Sequence, residues 1–485
     1  MSNQRNVLLT YFGILLATLL VFRLTHATAI LFLPLIAGLV ICSRYSIVSG
    51  VCTFVLYLSA EGALKLMSDY SLPLRLGPDL LIIALLFQAM RKERVQNKQT
   101  RFFAAPYSIL FWIHVGWCLV EFCNPFSIGL DSSLAGYKVY VSSLLLYFIT
   151  YLAIESDESL TPLSWCMLGA VSLQTIFAIE QFSTGEMGLA QWSPHYATAL
   201  GVSFRGVFFR PFGLSNVPGG ASTMLYILAP VCLSVLIKQK RYISIIACTL
   251  FLSGIGYVLF VSQIRAALIK CMIGLFIFSA ATALRTSRGF WQISGIVAFG
   301  FVAISWLLGM NDPRLENARK RVDALSKIQS VWDVRSEGTT ESILRIVSEQ
   351  PFGLGLSRVG AGSAPFRDRI EADQRYGAMW SFADNLYKAL LIEIGVPGAF
   401  FFLAFLIAVT YRAFRLLIVL WRNSPPSYPW MIAAAAGVFT TFLGHLGSEG
   451  FLYQPEAGLV WLLLGAVVKT GTLAVNERRR EAQAF

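Results

Sequence analysis

Charge is scarce in this chain. Asp, Glu, Lys and Arg supply only 14% of its 485 residues, hydrophobic residues supply 56%, and histidine occurs four times. Soluble domains carry about 25% charged residues, and with a mean hydropathy of +0.63 a soluble protein of this length is excluded. The eight cysteines (Cys42, Cys52, Cys118, Cys123, Cys166, Cys232, Cys248 and Cys271) all lie in or beside apolar segments. A disulfide framework would place them in exposed parts, so they read as small core hydrophobes. There is no Walker loop, HExxH or Gly-x-Ser-x-Gly elbow, and no ATP-driven step is implied. Four histidines, with no thiol in the outer loops, leave a transition-metal site little to build from. Internal repeats, heptads, low-complexity tracts and the ten-residue alternation of an outer-membrane barrel are also missing.

What the chain does have is apolar runs. A membrane-crossing helix needs roughly 17–25 apolar residues, and in lipid the backbone must bond within its own segment. The runs 7–22, 29–43, 46–60, 76–90, 105–122, 137–154, 162–182, 220–237, 242–260, 264–284, 290–309, 386–411, 430–447 and 456–474 predict an all-α polytopic membrane protein with about 12–14 transmembrane helices. Arg5, the stretch Val7–Phe22 and Ala27-Thr28-Ala29 imitate a signal peptide. The next apolar run follows at once, so the first span is predicted to be retained. The net charge of +12 sits in short clusters between spans: Arg91 to Arg94, Lys238 to Arg241, Arg285 with Arg288, Arg412 with Arg415 and Arg422, and Arg478-Arg479-Arg480. That is the positive-inside pattern. It predicts both termini cytoplasmic and argues against nucleic acid, because no basic face lies in a soluble domain.

This orientation leaves two sizeable segments outside. The first, 183–219, carries Trp192, His195, Arg205 and Arg210. The second, 311–385, holds eleven Lys/Arg against eleven Asp/Glu and divides the spans of 1–310 from those of 386–475. Leu315, Ala318, Val322, Leu325 and Ile328 recur at helical spacing, and Ile343, Leu344, Ile346 and Val347 suggest a second helix ending at Pro351. Gly353, Gly355, Gly360 and Gly362 mark a turn region. The expectation is a lid of two short helices over the outer surface. The charged tail 476–485 is expected to be disordered.

Arg265 lies between two apolar runs in Phe260-Val261-Ser262-Gln263-Ile264-Arg265. A guanidinium at membrane depth costs several kcal/mol unless paired or hydrated, so an anionic group is expected to meet it, unless it snorkels. Arg210 opens Arg210-Pro211-Phe212-Gly213-Leu214 ahead of another span, with Arg205 a competitor for the same role. Glu393 and Gly395 have a plainer reading, as a local cap and a close-packing position. Glu121, Glu180, Glu449, His195 and His445 lie near outer span ends and read mainly as structural.

Taken in order, Arg210-Pro-Phe-Gly, the Arg265 segment, Ser348-Glu-Gln-Pro-Phe-Gly-Leu-Gly355 and Asp384-Asn385-Leu386-Tyr387…Glu393-Ile-Gly-Val-Pro-Gly398 resemble the O-antigen ligase and polymerase superfamily, over roughly residues 200–410. The resemblance implies a multi-span glycosyltransferase of the bacterial inner membrane with one large periplasmic loop. It would take glycan from a polyprenyl-diphosphate carrier and join it to an acceptor sugar hydroxyl, using no cofactor and no metal. Expected partners are the lipid-linked oligosaccharide, an acceptor glycan, the bilayer and other polysaccharide export proteins. Arg210 and Arg265 would clamp the diphosphate, Asn385 would align the acceptor, and Asp384 would act as base. Arg205, Arg335, Arg345 and Glu393 would bind substrate, with either Arg335 or Arg345 filling the family's basic position. Ligases of the family typically carry His where this chain has Asp384, which fits the divergent polymerases better. A transporter or flippase is the reading from another class, and broken spans with midplane charges would favour it.

Overall fold

A computed structural model describes residues 2–95, 105–196, 198–199, 209–238, 241–284, 344–345, 347–359, 363, 366–373, 386–443, 451–452 and 454–484. Among these residues the regular structure is helical, with no strand. The first part comprises α1 (Ser2–Thr25), α2 (Leu33–Arg44), α3 (Ile47–Met67), α4 (Leu72–Arg75), α5 (Gly77–Val95), α6 (Ser108–Val120), α7 (Leu130–Val141), α8 (Leu145–Ala153) and α9 (Leu160–Trp192). Next come α10 (Ala221–Leu236), α11 (Arg241–Val261), α12 (Arg265–Ala283) and the short α13 (Arg367–Glu371). The chain finishes with α14 (Leu386–Glu393), α15 (Gly395–Leu420), α16 (Tyr428–Leu443) and α17 (Glu456–Ala484). Seven of the described helices are long and apolar enough to cross a membrane, and shorter apolar helices accompany them. The chain is a multi-pass, all-α membrane protein.

Short connections join several consecutive helices among the described residues. Between α2 and α3 the turn is two residues, and the Ser46 side chain caps α3 by accepting from Ser49 N at 3.2 Å. Helix α3 is the central pillar, with 94% of its apolar window buried, whereas α1 at 33% stands at the rim. In lipid, helices associate through close packing rather than the hydrophobic effect. Two glycines show what that requires. A Cβ on Gly437 of α16 would lie 2.2 Å from Ile227 O of α10, and one on Gly465 of α17 would lie 2.4 Å from Tyr147 O of α8. An aromatic seam then joins the two halves of the sequence. Phe148 of α8 stacks on Phe405 of α15 at 6.0 Å, and Phe405 stacks on Trp461 of α17 at 5.4 Å.

Several boundaries differ from the sequence reading. The run 137–154 is two helices, with Ser142-Ser143-Leu144 between them. Ser142 turns its hydroxyl to Asp79 Oδ1 at 2.7 Å, and Ser143 accepts from Gln454 at 2.9 Å. The run 386–411 is divided at Gly395, where φ is +64°, so the spanning helix starts there. Helix α9 continues past residue 182 into the supposed outer loop. In a straight helix, Phe177 and Trp192 would stand about 22 Å apart along the axis. Their rings meet at 5.1 Å because the chain folds back at Gly185, whose φ is +67°. The tail expected to be disordered continues α17 through Ala484. Its Glu, Arg and Ala residues are strong helix formers, and α17 is already nucleated by its buried span. The span 290–309 and the first lid helix, expected over 315–328, lie outside the described residues, while 344–345 and 347–349 are helical where the second was expected to end at Pro351. All eight cysteines are free; Cys123 is exposed and the rest are buried.

The contact at Gly437 is the most sensitive of these packing points. Gly437→Val should overpack the α10–α16 interface at a cost of about 1–3 kcal/mol. A clear drop in melting temperature in detergent checks it, with Ala436→Gly, which adds no volume there, as the comparison.

Candidate functional site

Two non-helical segments are driven into one end of the bundle, and each is held by side chains from neighbouring helices. The first is Arg210-Pro-Phe-Gly-Leu. Gln174 and Gln181, seven apart on α9, share one face of that helix. Gln181 Oε1 accepts from Phe212 N at 2.9 Å and from Gly213 N at 2.8 Å, while its Nε2 donates to Gly213 O at 2.8 Å. Gln174 Oε1 accepts from Leu214 N at 2.9 Å, and its Nε2 donates to Ser59 O at 2.6 Å. Leu214 O in turn accepts from Ala63 N at 2.8 Å. Ser59 O and Ala63 N are four residues apart, the pair that a helical ladder joins, so the loop is stitched into α3 itself. Gly62 makes room, since a Cβ there would lie 2.4 Å from Asn216 N. Gly213 is required as glycine: its φ is +61° and a Cβ would lie 2.5 Å from Gln174 Oε1.

This clamp fixes the backbone on which Arg210 stands, and the Arg210 side chain is buried. The same loop touches the Arg265 segment. Gln263 Nε2 donates to Phe209 O at 3.3 Å, and the Cβ position of Gly219 lies 3.0 Å from Ser262 O. Arg265 is the first residue of α12 and is half-buried, and the start of that helix has no side-chain cap. A guanidinium beside uncapped first-turn N–H groups draws an anion by charge and by the helix dipole together.

The second inserted segment is Pro351–Val359, lodged against the junction of α14 and α15. Leu354 N donates to Ile392 O at 2.6 Å and Val396 N to Pro351 O at 2.8 Å. Trp117 Nε1 donates to Ile394 O at 2.9 Å, and Asn124 Nδ2 bridges Glu121 Oε2 at 2.8 Å to Gly353 O at 3.2 Å. Gly353 and Gly395 lie back to back, both with positive φ, and a Cβ on either would sit 2.6 Å from the other's nitrogen. Glu393 is fully enclosed, and its Oε1 accepts from Val359 N at 2.7 Å. Glu393 precedes the spanning helix. Burial pushes its carboxyl up to about 8, against the pull of donors from Val359, Tyr140, Ser357 and Arg358. Arg358, also buried, pairs with Asp373.

Of the residues singled out in the sequence, Arg210 and the Arg265 segment come together, as do Glu393 and the Gly353 turn. Arg345 is exposed and pairs with Glu349, one turn along, at 2.9 Å. Glu180 bridges to Arg23 at 2.8 Å, and His195 Nδ1 lies 3.4 Å from Asp69 Oδ1. Asp384, Asn385, Arg205, Arg335, His445 and Glu449 lie outside the described residues. Sequence reasoning missed Gln174, Gln181, Asn124 and Arg358, and also a buried triad deeper in the bundle. There Lys270 Nζ lies 3.2 Å from Tyr226 Oη and 3.6 Å from Glu456 Oε1, and the Tyr226 hydroxyl donates to Glu456. Amides within an apolar run were the available signal for the glutamines. Among the described residues, no group of three or more His, Cys, Asp or Glu side chains converges as metal ligands would.

Gln181→Leu should leave Phe212 and Gly213 N–H without their acceptor, at about 1–3 kcal/mol for each orphaned group. Faster amide exchange at residues 212–214 and a lower melting temperature would report it. For Glu393, the folded pKa of about 8 lies above the ordinary carboxyl value of 4.5. Its contribution to stability is therefore full below that ordinary value and lost as pH rises through the folded pKa. Wild type should lose stability relative to Glu393→Gln as pH rises from about 4.5 to about 8 and level off above that, read as the difference in melting temperature across that window. In comparisons with known proteins, no family model matches this chain and no curated protein matches it.

Proposed function

We propose that this protein is a membrane glycosyltransferase of surface polysaccharide assembly. It transfers glycan from a polyprenyl-diphosphate carrier to an acceptor sugar hydroxyl, as an exopolysaccharide or O-antigen polymerase of the bacterial inner membrane, at its periplasmic face. The observation that carries this reading is the joining of the buried Arg210 loop to the uncapped, arginine-headed start of α12. Two guanidiniums and a helix N-terminus suit a diphosphate, which arginine grips with bidentate, charge-assisted bonds.

The acceptor hydroxyl oxygen attacks the anomeric carbon and its proton passes to the Asp384 carboxylate. The carbon–oxygen bond to the carrier breaks, and the diphosphate leaves with the electron pair. Arg210 and Arg265 neutralise the charge that grows on it, and fixed positive groups are most effective where water is excluded. Asn385 and the segment between 311 and 385 hold the acceptor in line, which supplies much of the rate. The leaving group is good at neutral pH, so this scheme uses no strong general acid. A ligase that moves finished glycan to a lipid or protein acceptor would share every step and differ only in its acceptor.

The transporter or flippase reading keeps one observation of its own. Lys270, Glu456 and Tyr226 form a charged triad inside the bundle, and intramembrane ionisable groups often mark a path for solute or protons.

The test is purified protein in lipid, supplied with a polyprenyl-diphosphate oligosaccharide. A ladder of lengthened glycan is expected. Arg265→Ala and Asp384→Asn should each lower its rate by roughly a hundredfold or more, the scale of losing one preorganised charge contact. Arg210→Lys should also fall, because lysine cannot supply the fork. Transfer to an added acceptor without a ladder would make the protein a ligase. Neither product from folded wild type with an authentic donor would sink the glycosyltransferase reading.

A further inference from the structure

At the other end of the bundle, where α3 and α9 begin, a cavity of about 990 Å³ opens between α1, α3 and α9. Its size is at the upper end of the range for small-molecule sites, roughly 300–1,000 Å³. The lining changes character along its length. Arg5, Ser46, Glu155 and Glu158 form a polar mouth, and Leu8, Phe12, Leu56 and Gly169 form an apolar wall beyond it. Phe12 follows Arg5 on α1 by seven residues, about 10 Å deeper at helical rise. Trp165, 48% exposed, stands on the same wall. A groove that is charged at a helix end and apolar for the next two turns has the polarity profile of one phospholipid: head group first, acyl chain after.

The charges narrow the choice of lipid. Two long helices start at the mouth. Ile47 and Val48 open α3, behind its Ser46 cap, and line it, as do Ser159 and Thr161, where the 3-10 turn Asp157–Ser159 runs straight into α9. Arg5 adds a full positive charge to these two dipole ends, which together suit a phosphate. Glu155 and Glu158 face the same space with negative charge. A wholly anionic head group would meet those two carboxylates unfavourably. A quaternary amine would bring positive charge but no N–H to donate. A primary ammonium next to a phosphate satisfies both sets.

We propose that this groove binds a bilayer phospholipid with a primary-amine head group, phosphatidylethanolamine, with the phosphate on Arg5 and the helix N-termini and the ammonium on Glu155 and Glu158. The occupant comes from the bilayer itself, because α1 is among the least enclosed of the spanning helices and its neighbour in a membrane is lipid. This site is separate from the one proposed for glycan transfer and stands whether or not that reading does.

The full chain is delipidated in detergent and moved into vesicles of phosphatidylethanolamine, phosphatidylcholine and phosphatidylglycerol in equal parts. Lipid retained on re-extraction is measured by native mass spectrometry. Phosphatidylethanolamine should be enriched about tenfold over each of the others, the scale of one charge-assisted hydrogen bond. The double variant Glu155→Gln with Glu158→Gln should erase its preference over phosphatidylcholine, and Arg5→Gln should lower its retention. Bromine-labelled phosphatidylethanolamine should quench wild type more than Trp165→Phe, a comparison that alters no charge and does not depend on the charge variants folding. Equal retention of the three lipids, preference for phosphatidylglycerol, or equal quenching in wild type and Trp165→Phe would each overturn the proposal.

Discussion

Backbone that is not helical cannot enter a membrane bundle unless something bonds its N–H and C=O groups, and that constraint organises this molecule. Two such segments go in. The Arg210 loop is satisfied by glutamines that act as a second backbone, with carbonyl and amide set at the spacing the loop needs. The Pro351–Val359 segment is satisfied by helix ends, an indole, an asparagine and a buried carboxylate. For the Arg210 loop the polar partners stand on the long helices α3 and α9, and for the second segment they stand on short α14, on α6 and just beyond its end. Once the loops are fixed, the arginines on or beside them have fixed positions too, which is what electrostatic catalysis requires.

The two ends of the bundle are built differently. At the loop end the polar groups belong to buried networks with directional partners. At the other end α2 finishes at Arg44, and the wide groove with Arg5, Glu155 and Glu158 at its mouth opens where α3 and α9 begin. The charge cluster around α13 belongs to neither scheme. Arg367 with Glu371 and Arg369 with Asp131 are exposed pairs worth little individually. Arg358 with Asp373, with its arginine enclosed, is the pair there that loses most if one partner is removed.

The helical class was legible because apolar runs of membrane length have no other economical structure. The loops that matter were legible as glycine- and proline-rich phrases: Arg210-Pro-Phe-Gly and Pro351-Phe-Gly-Leu-Gly were both singled out, and both are inserted segments. Their partners were not. Gln174 and Gln181 look like ordinary polar breaks in an apolar run, and only the fold shows that they face the same strip of backbone. Glu393 was legible as a structural acid, but its partner at Val359, 34 residues away, was not. The break at Ser142–Leu144 and the turn at Gly185 escaped because hydropathy averages over a window and a local change in φ leaves no trace in it. The tail was misread because charge was taken as a sign of disorder, whereas Glu, Arg and Ala extend a helix that is already anchored.

The back-to-back glycines at 353 and 395 carry a consequence for how this protein can change. Neither glycine can gain a side chain to make up for the loss of the other, because each would strike backbone rather than a movable group. The turn 351–359 and the helix junction 393–398 are therefore a single inherited unit, although more than thirty residues separate them in the chain. A recombination breakpoint between them would pair each half with a stranger.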